Sequence, residues 1–395
     1  MGKVTGSYLI ARTLKEEGVE VLFYLMGGPN FDIVMACQDF GIKTVDFRHE
    51  QAAAFAAHAY ARLTGKPGVC TAASGPGTLN LLTGVYTASI DCAPMIILGG
   101  AGPVHEIGRD AFQEVDQVGI FKPLCKYVHQ PTLAERYPEI ISTAFRQATS
   151  GRPGPVYIDC GADVLYEEVE ESKVIKAPRP LTKSRPSADP KAIEVAINLI
   201  SAAKKPIIFA GGGVFFSDAS DEFQSFIDIT KIPFYTSPMS RGLAPEDHPV
   251  SFPAARSKAM READLVLVIG TRLNWMMQYG SRFSDKAKLI QIDIEESELG
   301  HNRDCDLGIV ADAKIALTQL INAANQRSQD FDGRLESQWI QDLSEYQTEK
   351  AAKMESLLNS NQVPIHPLRL CNEINKFLDR DAIVTVDGNE ILHFG

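Results

Sequence analysis

A chain of 395 residues exceeds what one hydrophobic core usually organises, so two domains and part of a third are expected. With 45% hydrophobic and 23% charged residues the composition is that of a soluble globular chain, and no apolar run approaches the roughly 20 residues that span a bilayer. A net charge of −11 supplies no basic stripe, which excludes a general surface for nucleic acid or anionic membrane.

In chain order, a helix is predicted from about Gly6, capped by Thr5 and ended at Gly18. The run Val19, Val21, Leu22, Phe23 and Leu25 has little polar alternation, as in a parallel strand covered on both faces, and Gly27-Gly28-Pro29 ends it. Strands near 44–47, 68–72 and 95–98 then alternate with helices near 51–63 and 78–88, and 156–159 reads as a last buried strand. This alternation predicts an α/β fold with a doubly wound parallel sheet over residues 1–165. Residues 166–190 turn charged and proline-bearing and read as a linker. A second, Rossmann-like unit is predicted over 191–325, with strands at 206–210, 265–269 and 289–294. The polar, helix-patterned stretch 326–362 reads as a helical linker. Residues 363–395 begin a third domain with a helix at 367–378 and a strand at 382–386.

The seven cysteines, Cys37, Cys70, Cys92, Cys125, Cys160, Cys305 and Cys371, lack C-x-x-C spacing, so free thiols in a reducing compartment are expected. Met1 leads into an amphipathic stretch without the order of a secretory signal, and a cytoplasmic location is expected.

The chemistry-bearing residues cluster at strand ends. Arg48-His49-Glu50 follows a strand and opens the alanine-rich helix from Gln51 to Arg62. In open α/β sheets the carboxyl ends of the strands form the ligand crevice, so Glu50 is placed to face a bound molecule. The alternative is a helix-start glutamate stabilised by the macrodipole. Ser74-Gly75-Pro76-Gly77 alone reads as a strand-to-helix turn. Gly211-Gly212-Gly213 lacks the G-x-G-x-x-G spacing of a dinucleotide loop. Lys126, His49 and His58 read as hydrogen-bonded structural side chains, His58 satisfied locally. None sits with carboxylates at metal-ligand spacing, so no metal ligand is assigned.

Taken together, Arg48-His49-Glu50-Gln51-Ala52-Ala53, Ala59-Tyr60-Ala61-Arg62 and Ser74-Gly75-Pro76-Gly77-Thr78-Leu79-Asn80 resemble the pyrimidine-binding domain of thiamine-diphosphate-dependent enzymes. The resemblance is to the superfamily of acetolactate synthase, oxalyl-CoA decarboxylase and 2-hydroxyacyl-CoA lyase. It implies that Glu50 hydrogen-bonds N1′ of the aminopyrimidine and helps generate the C2-ylide of the cofactor. It implies that Gly75, Pro76, Gly77 and Asn80 shape the same site, and that Gly28 and Pro29 approach the cofactor across a subunit interface in a homodimer or homotetramer. In the string from Asp110 to Gln117, Phe112 and Gln113 match residues lining the substrate pocket, where the glutamine hydrogen-bonds the reacting carbonyl or alkoxide. Phe112 stands where oxalyl-CoA decarboxylases carry tyrosine, which counts against that activity.

The strings from Asp264 to Gly280 and from Pro238 to Pro249 resemble the middle domain of oxalyl-CoA decarboxylases and 2-hydroxyacyl-CoA lyases more than that of FAD-binding acetolactate synthases. By that likeness Arg152, Gly212, Arg272, Asp293 and Asp312 hold ADP or the ADP part of coenzyme A. Arginine forks onto phosphate, glycine admits the nucleotide to the backbone and aspartate accepts ribose hydroxyls. The alternative for both arginines is an ion pair at a domain edge, and Arg152 also has a counterpart in FAD-binding relatives. Such enzymes bind the diphosphate and Mg²⁺ through Gly-Asp-Gly and a downstream asparagine, and none follows Gly388-Asn389. The expectation is therefore a fragment, or a split enzyme whose partner chain supplies the diphosphate-binding domain. The activity implied is a lyase acting on a 2-hydroxyacyl-CoA or a related 2-oxo acid. The alternatives are an acetolactate synthase and, in another class, a non-catalytic nucleotide-binding fragment.

Overall fold

The alternating pattern becomes two parallel sheets in the computed structural model, which describes residues 2–176 and 184–386. The chain divides into two units between Arg185 and Pro186. The first helix runs Gly6–Glu16, where the Thr5 hydroxyl accepts from the Tyr8 amide at 3.2 Å, and Gly18 beyond it is left-handed with φ 84°.

The first unit holds a six-stranded sheet in the order Lys43–Asp46, Val21–Tyr24, Gly68–Ala72, Met95–Ala101, Pro155–Gly161, Tyr127–His129. Every pairing in it is parallel. Val69, Ile96, Leu98, Val156 and Ile158 join a core with Leu9, Ile10 and Leu14 of the first helix, and with Ile140 and Ile141 of the helix Tyr137–Thr149. Strand order reverses between Val21–Tyr24 and Gly68–Ala72, the switch point at which such sheets open a ligand crevice.

Three local differences from the sequence pattern have physical causes. The helix expected over 78–88 is two, Pro76–Asn80 and Leu82–Asp91, because Pro76 starts a turn of its own. The edge strand Tyr127–His129 is only three half-buried residues, too short for a periodic signal. The strand Glu168–Glu170 pairs antiparallel with Lys3–Thr5, which ties the start of the charged segment to the first unit.

The alanine content of the helix Glu50–Thr64 is explained by its neighbours. A β-carbon at Gly68 would collide with the Ala57 carbonyl, and one at Gly84 would lie 2.5 Å from the Ala54 β-carbon. Small side chains on both partners let the helix lie close to the sheet, and this sets the depth of Glu50 at its first turn.

In the second unit the order is Phe234–Thr236, Pro206–Ala210, Leu265–Ile269, Lys288–Asp293, Leu307–Val310, again all parallel. Its switch point lies between Pro206–Ala210 and Leu265–Ile269. There Gly213 donates to the Gly270 carbonyl at 2.9 Å, and a β-carbon on Gly213 would lie 2.7 Å from the Gly270 α-carbon. A β-carbon on Gly211 would likewise collide with Thr271, so these two of the three glycines have a packing role. The helix Gln338–Leu358 buries Trp339, Ile340 and Leu343, and the Trp339 indole donates to the Pro206 carbonyl at 3.2 Å. Three apolar residues in a polar run anchor this segment to the core. Pro367–Phe377 is helical, whereas 382–386 forms no strand among the described residues. Residues 387–395, the end of the predicted third domain, lie outside the described residues.

Gly84→Ala is expected to push the helices Leu82–Asp91 and Glu50–Thr64 apart, at a cost of about 1–3 kcal/mol, the usual range for overpacking. The measurement is a lowered urea midpoint at unchanged slope; an unshifted midpoint would mean that the helix has room to move.

Candidate active site

Two turns meet at the first unit's switch point. After Val21–Tyr24 comes Gly27-Gly28-Pro29, with a cis Gly28–Pro29 bond; after Gly68–Ala72 comes Ser74-Gly75-Pro76-Gly77. They are joined where the Ser74 amide donates to the Gly28 carbonyl at 3.1 Å. Pro29 is buried and Gly28 exposed. Gly75 has φ 59°, and a β-carbon there would lie 2.7 Å from the Gln113 carbonyl oxygen, so both conformation and contact demand glycine.

Glu50 opens its helix beside this turn and is 9% exposed. Its Oε2 accepts from Asn80 Nδ2 at 2.9 Å. Its Oε1 makes no hydrogen bond among the described residues, and a β-carbon on Gly77 would lie 3.3 Å from it. His49 caps the helix, Nδ1 accepting from the Gln51 amide at 3.1 Å. His58 reaches beyond its own helix, pairing with Asp91 at 3.0 Å. Lys126 donates to the Ser150 carbonyl at 2.6 Å.

The loop carrying Phe112 and Gln113 lies across the turn. Ser74 Oγ donates to Gln113 Oε1 at 2.6 Å, which leaves the Gln113 amide nitrogen as its outward donor. Asp110 and Gln113 are left-handed, with φ 56° and 58°, uncommon for non-glycine residues. The Glu114 carboxylate holds this shape by accepting from the Gly108 amide at 2.5 Å and the Ala111 amide at 2.9 Å, and those donors keep its carboxyl below the usual glutamate range. Phe112, between them, is 82% exposed. Beneath the loop is a cavity of about 370 Å³, whose lining includes Gln113, Gln117, Gln130 and Asp159.

Gln117 and Asp159 were not singled out from sequence. Gln117 is 3% exposed and hydrogen-bonds Gly75, Gly100, Tyr157 and Asp159. Asp159, also 3% exposed, accepts from Tyr157, Gln117 and Gln130. The available signal was an aspartate inside an otherwise apolar strand, since a buried charge demands partners.

The second unit places Gly212 after Pro206–Ala210, Arg272 after Leu265–Ile269, Asp293 at the end of Lys288–Asp293 and Asp312 after Leu307–Val310. Four neighbouring strands thus each contribute one residue at the carboxyl edge. Asp312 caps the helix Ala313–Asn325, accepting from the amides of Lys314 and Ile315 and from Ser217 Oγ at 3.1 Å. Asp293 accepts from the Glu295 amide at 3.0 Å. Arg152 belongs to the first unit and is half-buried.

Family comparison agrees with this geometry. Residues 4–120 match the thiamine pyrophosphate enzyme N-terminal TPP binding domain, and residues 193–320 match the thiamine pyrophosphate enzyme central domain. Human 2-hydroxyacyl-CoA lyase 1 is 31% identical over 395 residues, which cover 100% of this chain and 68% of that protein. The chain belongs to the thiamine pyrophosphate enzyme family. The 2-hydroxyacyl-CoA lyase of Arabidopsis thaliana is 34% identical, covering 98% of this chain and 67% of that protein. A probable acetolactate synthase large subunit of Methanocaldococcus jannaschii is 36% identical, covering 97% of this chain and 66% of that protein.

The first unit fits the pyrimidine half of the thiamine cofactor. Its buried carboxylate has one oxygen fixed by Asn80 and the other facing glycine, which leaves room for a ring nitrogen to share a proton.

Burial holds the Asp159 carboxyl above the usual aspartate range, partly offset by the donors Tyr157, Gln117 and Gln130. Because the folded-state value is the higher one, the stability it contributes is full below about pH 4, the ordinary aspartate value, and is lost as the pH rises through the raised value. Asp159→Asn is expected to remove that decline. Urea midpoints taken from about pH 4 upward test it; a variant whose midpoints decline in parallel with the wild type's would place the effect elsewhere.

Proposed function

We propose that this chain forms the pyrimidine-binding and nucleotide-binding parts of a thiamine-diphosphate-dependent lyase that cleaves or forms the carbon–carbon bond of a 2-hydroxyacyl-CoA. The observation that carries the reading is Glu50, buried at the switch point with Oε1 uncovered. When bound, thiamine diphosphate supplies a thiazolium carbon nucleophile and an electron sink for the bond that breaks. The chain's own residues do the rest. Glu50 holds a proton at Oε1 against the pyrimidine nitrogen, while Asn80 keeps Oε2 from turning into its place. Gly75, Pro76, Gly77, Gly28 and Pro29 shape the walls. Gln113, its oxygen engaged by Ser74, directs its amide N–H at the substrate oxygen on which negative charge develops, and Phe112 borders that space.

In the second unit Gly212, Arg272, Asp293 and Asp312 would take the ADP part of coenzyme A. Mg²⁺ on the diphosphate, a homodimeric or homotetrameric assembly and a cytoplasmic location complete the proposal. A second reading, acetolactate synthase with FAD in the middle domain, is favoured by the methanogen relative at 36% identity.

Glu50→Gln is expected to slow exchange of the cofactor's C2 proton by about 10²-fold or more, the usual contribution of a positioned acid–base group. Proton exchange followed by NMR in the cofactor-loaded protein reads this, and an unchanged rate removes Glu50 from the role. Native mass spectrometry of the protein from its own source separates the two activities: retained ADP or coenzyme A supports the lyase, and retained FAD supports the synthase.

A further inference from the structure

We propose that Gln117 is a positioning residue that sets the turn facing Glu50, acting through the amide of Gly75. Its Oε1 accepts from the Gly75 amide at 2.7 Å. On the other side Nε2 lies 3.0 Å from the Gly100 carbonyl, 2.8 Å from Tyr157 Oη and 2.6 Å from Asp159 Oδ1. Two amide hydrogens are shared among three oxygens, so this end cannot be occupied by an acceptor. The amide therefore has one orientation. Reversed, it would set its oxygen against a carbonyl and a carboxylate, and its NH₂ against the Gly75 N–H.

The far end of the clamp is rigid. Tyr157 stacks on Phe121 with ring centroids 4.0 Å apart, and its hydroxyl donates to Asp159 at 2.5 Å. Gly99 leaves no room for a β-carbon against the Tyr157 ring, and Gln130 donates to the other Asp159 oxygen at 2.7 Å. The near end is the part that must be held. Gly75 is left-handed, adjoins Pro76 and Gly77, and leads through one helical turn to Asn80; these residues border Glu50 Oε1 and bond Oε2. Gln117 and Asp159 also line the cavity beneath Gln113. One neutral amide thus fixes the turn against Glu50 and forms part of the cavity lining beside Gln113. A side chain of the same length without the donor cannot do this once ionised, because a glutamate at 117 would oppose the Asp159 carboxylate and the pair would have to share a proton to stay in contact.

The positioning claim stands on this geometry, while the kinetic part of its test rests on the lyase reading. Hydrogen exchange by mass spectrometry on the cofactor-free full chain compares wild type, Gln117→Met, Gln117→Glu and the swap Gln117→Glu/Asp159→Asn. Gln117→Met is expected to speed exchange in residues 73–80 about tenfold, the scale of one lost buried hydrogen bond, with residues 206–210 of the second unit unchanged. Gln117→Glu should do the same at high pH and recover as the pH falls and the pair takes up a proton, and the swap should remove that pH dependence. If Gln117→Met does not fold, the pH-dependent recovery of Gln117→Glu decides. Residues 73–80 exchanging as in wild type in every variant that folds, or 73–80 and 206–210 quickening together, would overturn the proposal. In the complete enzyme, with thiamine diphosphate, Mg²⁺ and a 2-hydroxyacyl-CoA, kcat of Gln117→Glu should fall at high pH and recover toward the wild-type value as the pH is lowered, with KM little changed; a ratio of variant to wild-type kcat that does not change with pH counts against positioning. A wild-type complete enzyme inactive on that substrate would defeat the lyase reading and leave the exchange result to decide the positioning role.

Discussion

The site depends on how closely one helix lies to one sheet. At the closest approaches of Glu50–Thr64 to the strand Gly68–Ala72 and the helix Leu82–Asp91, Gly68 meets Ala57 and Gly84 meets Ala54, so backbone meets backbone with little side chain between. This closeness carries Glu50 inward to 9% exposure while the polar groups it meets, Asn80 and the uncovered face of Gly77, come from the next strand-to-helix turn. A bulkier pair would lift the helix and move the carboxylate with it. The alanine run is thus a constraint on distance more than a statement about helix propensity.

The two units use the same reversal of strand order in different ways. Each reverses direction between its first and third strand, and each places glycines at the point of reversal. In the first unit the turns are bridged by a backbone bond from Ser74 to Gly28, and a mostly exposed loop with a cavity beneath it lies beside them. In the second, Gly213 and Gly270 bring the two turns into direct backbone contact, which closes the central gap and leaves the carboxyl edge of the neighbouring strands to carry Arg272, Asp293 and Asp312.

Much of this was legible because local chemistry and global position agree. Apolar runs bounded by glycine located the central strands to within a few residues, and Glu50 was conspicuous as a carboxylate between a strand and a helix. The edge strands Tyr127–His129, Phe234–Thr236 and Leu307–Val310 were not legible, being three or four residues long and specified by their neighbours. Trp339 and Leu343 were hidden in a polar stretch, since an anchor of three residues has no period. Gln117 stood in the open, within the string from Asp110, yet its importance lies in partners 17 to 42 positions away, which spacing along the chain does not reveal.

The loop from Gly108 to Glu114 has a consequence for how such enzymes diversify. Its shape is held by main-chain amides on the Glu114 carboxylate and by the Ser74 hydroxyl on Gln113, none of which involves the side chain of Phe112. The exposed aromatic of the loop is therefore a side chain its architecture does not need. On the proposed lyase reading, replacements at that position change what borders the substrate without disturbing what builds the border, so selection can retune substrate preference through a single codon while the scaffold is inherited unaltered.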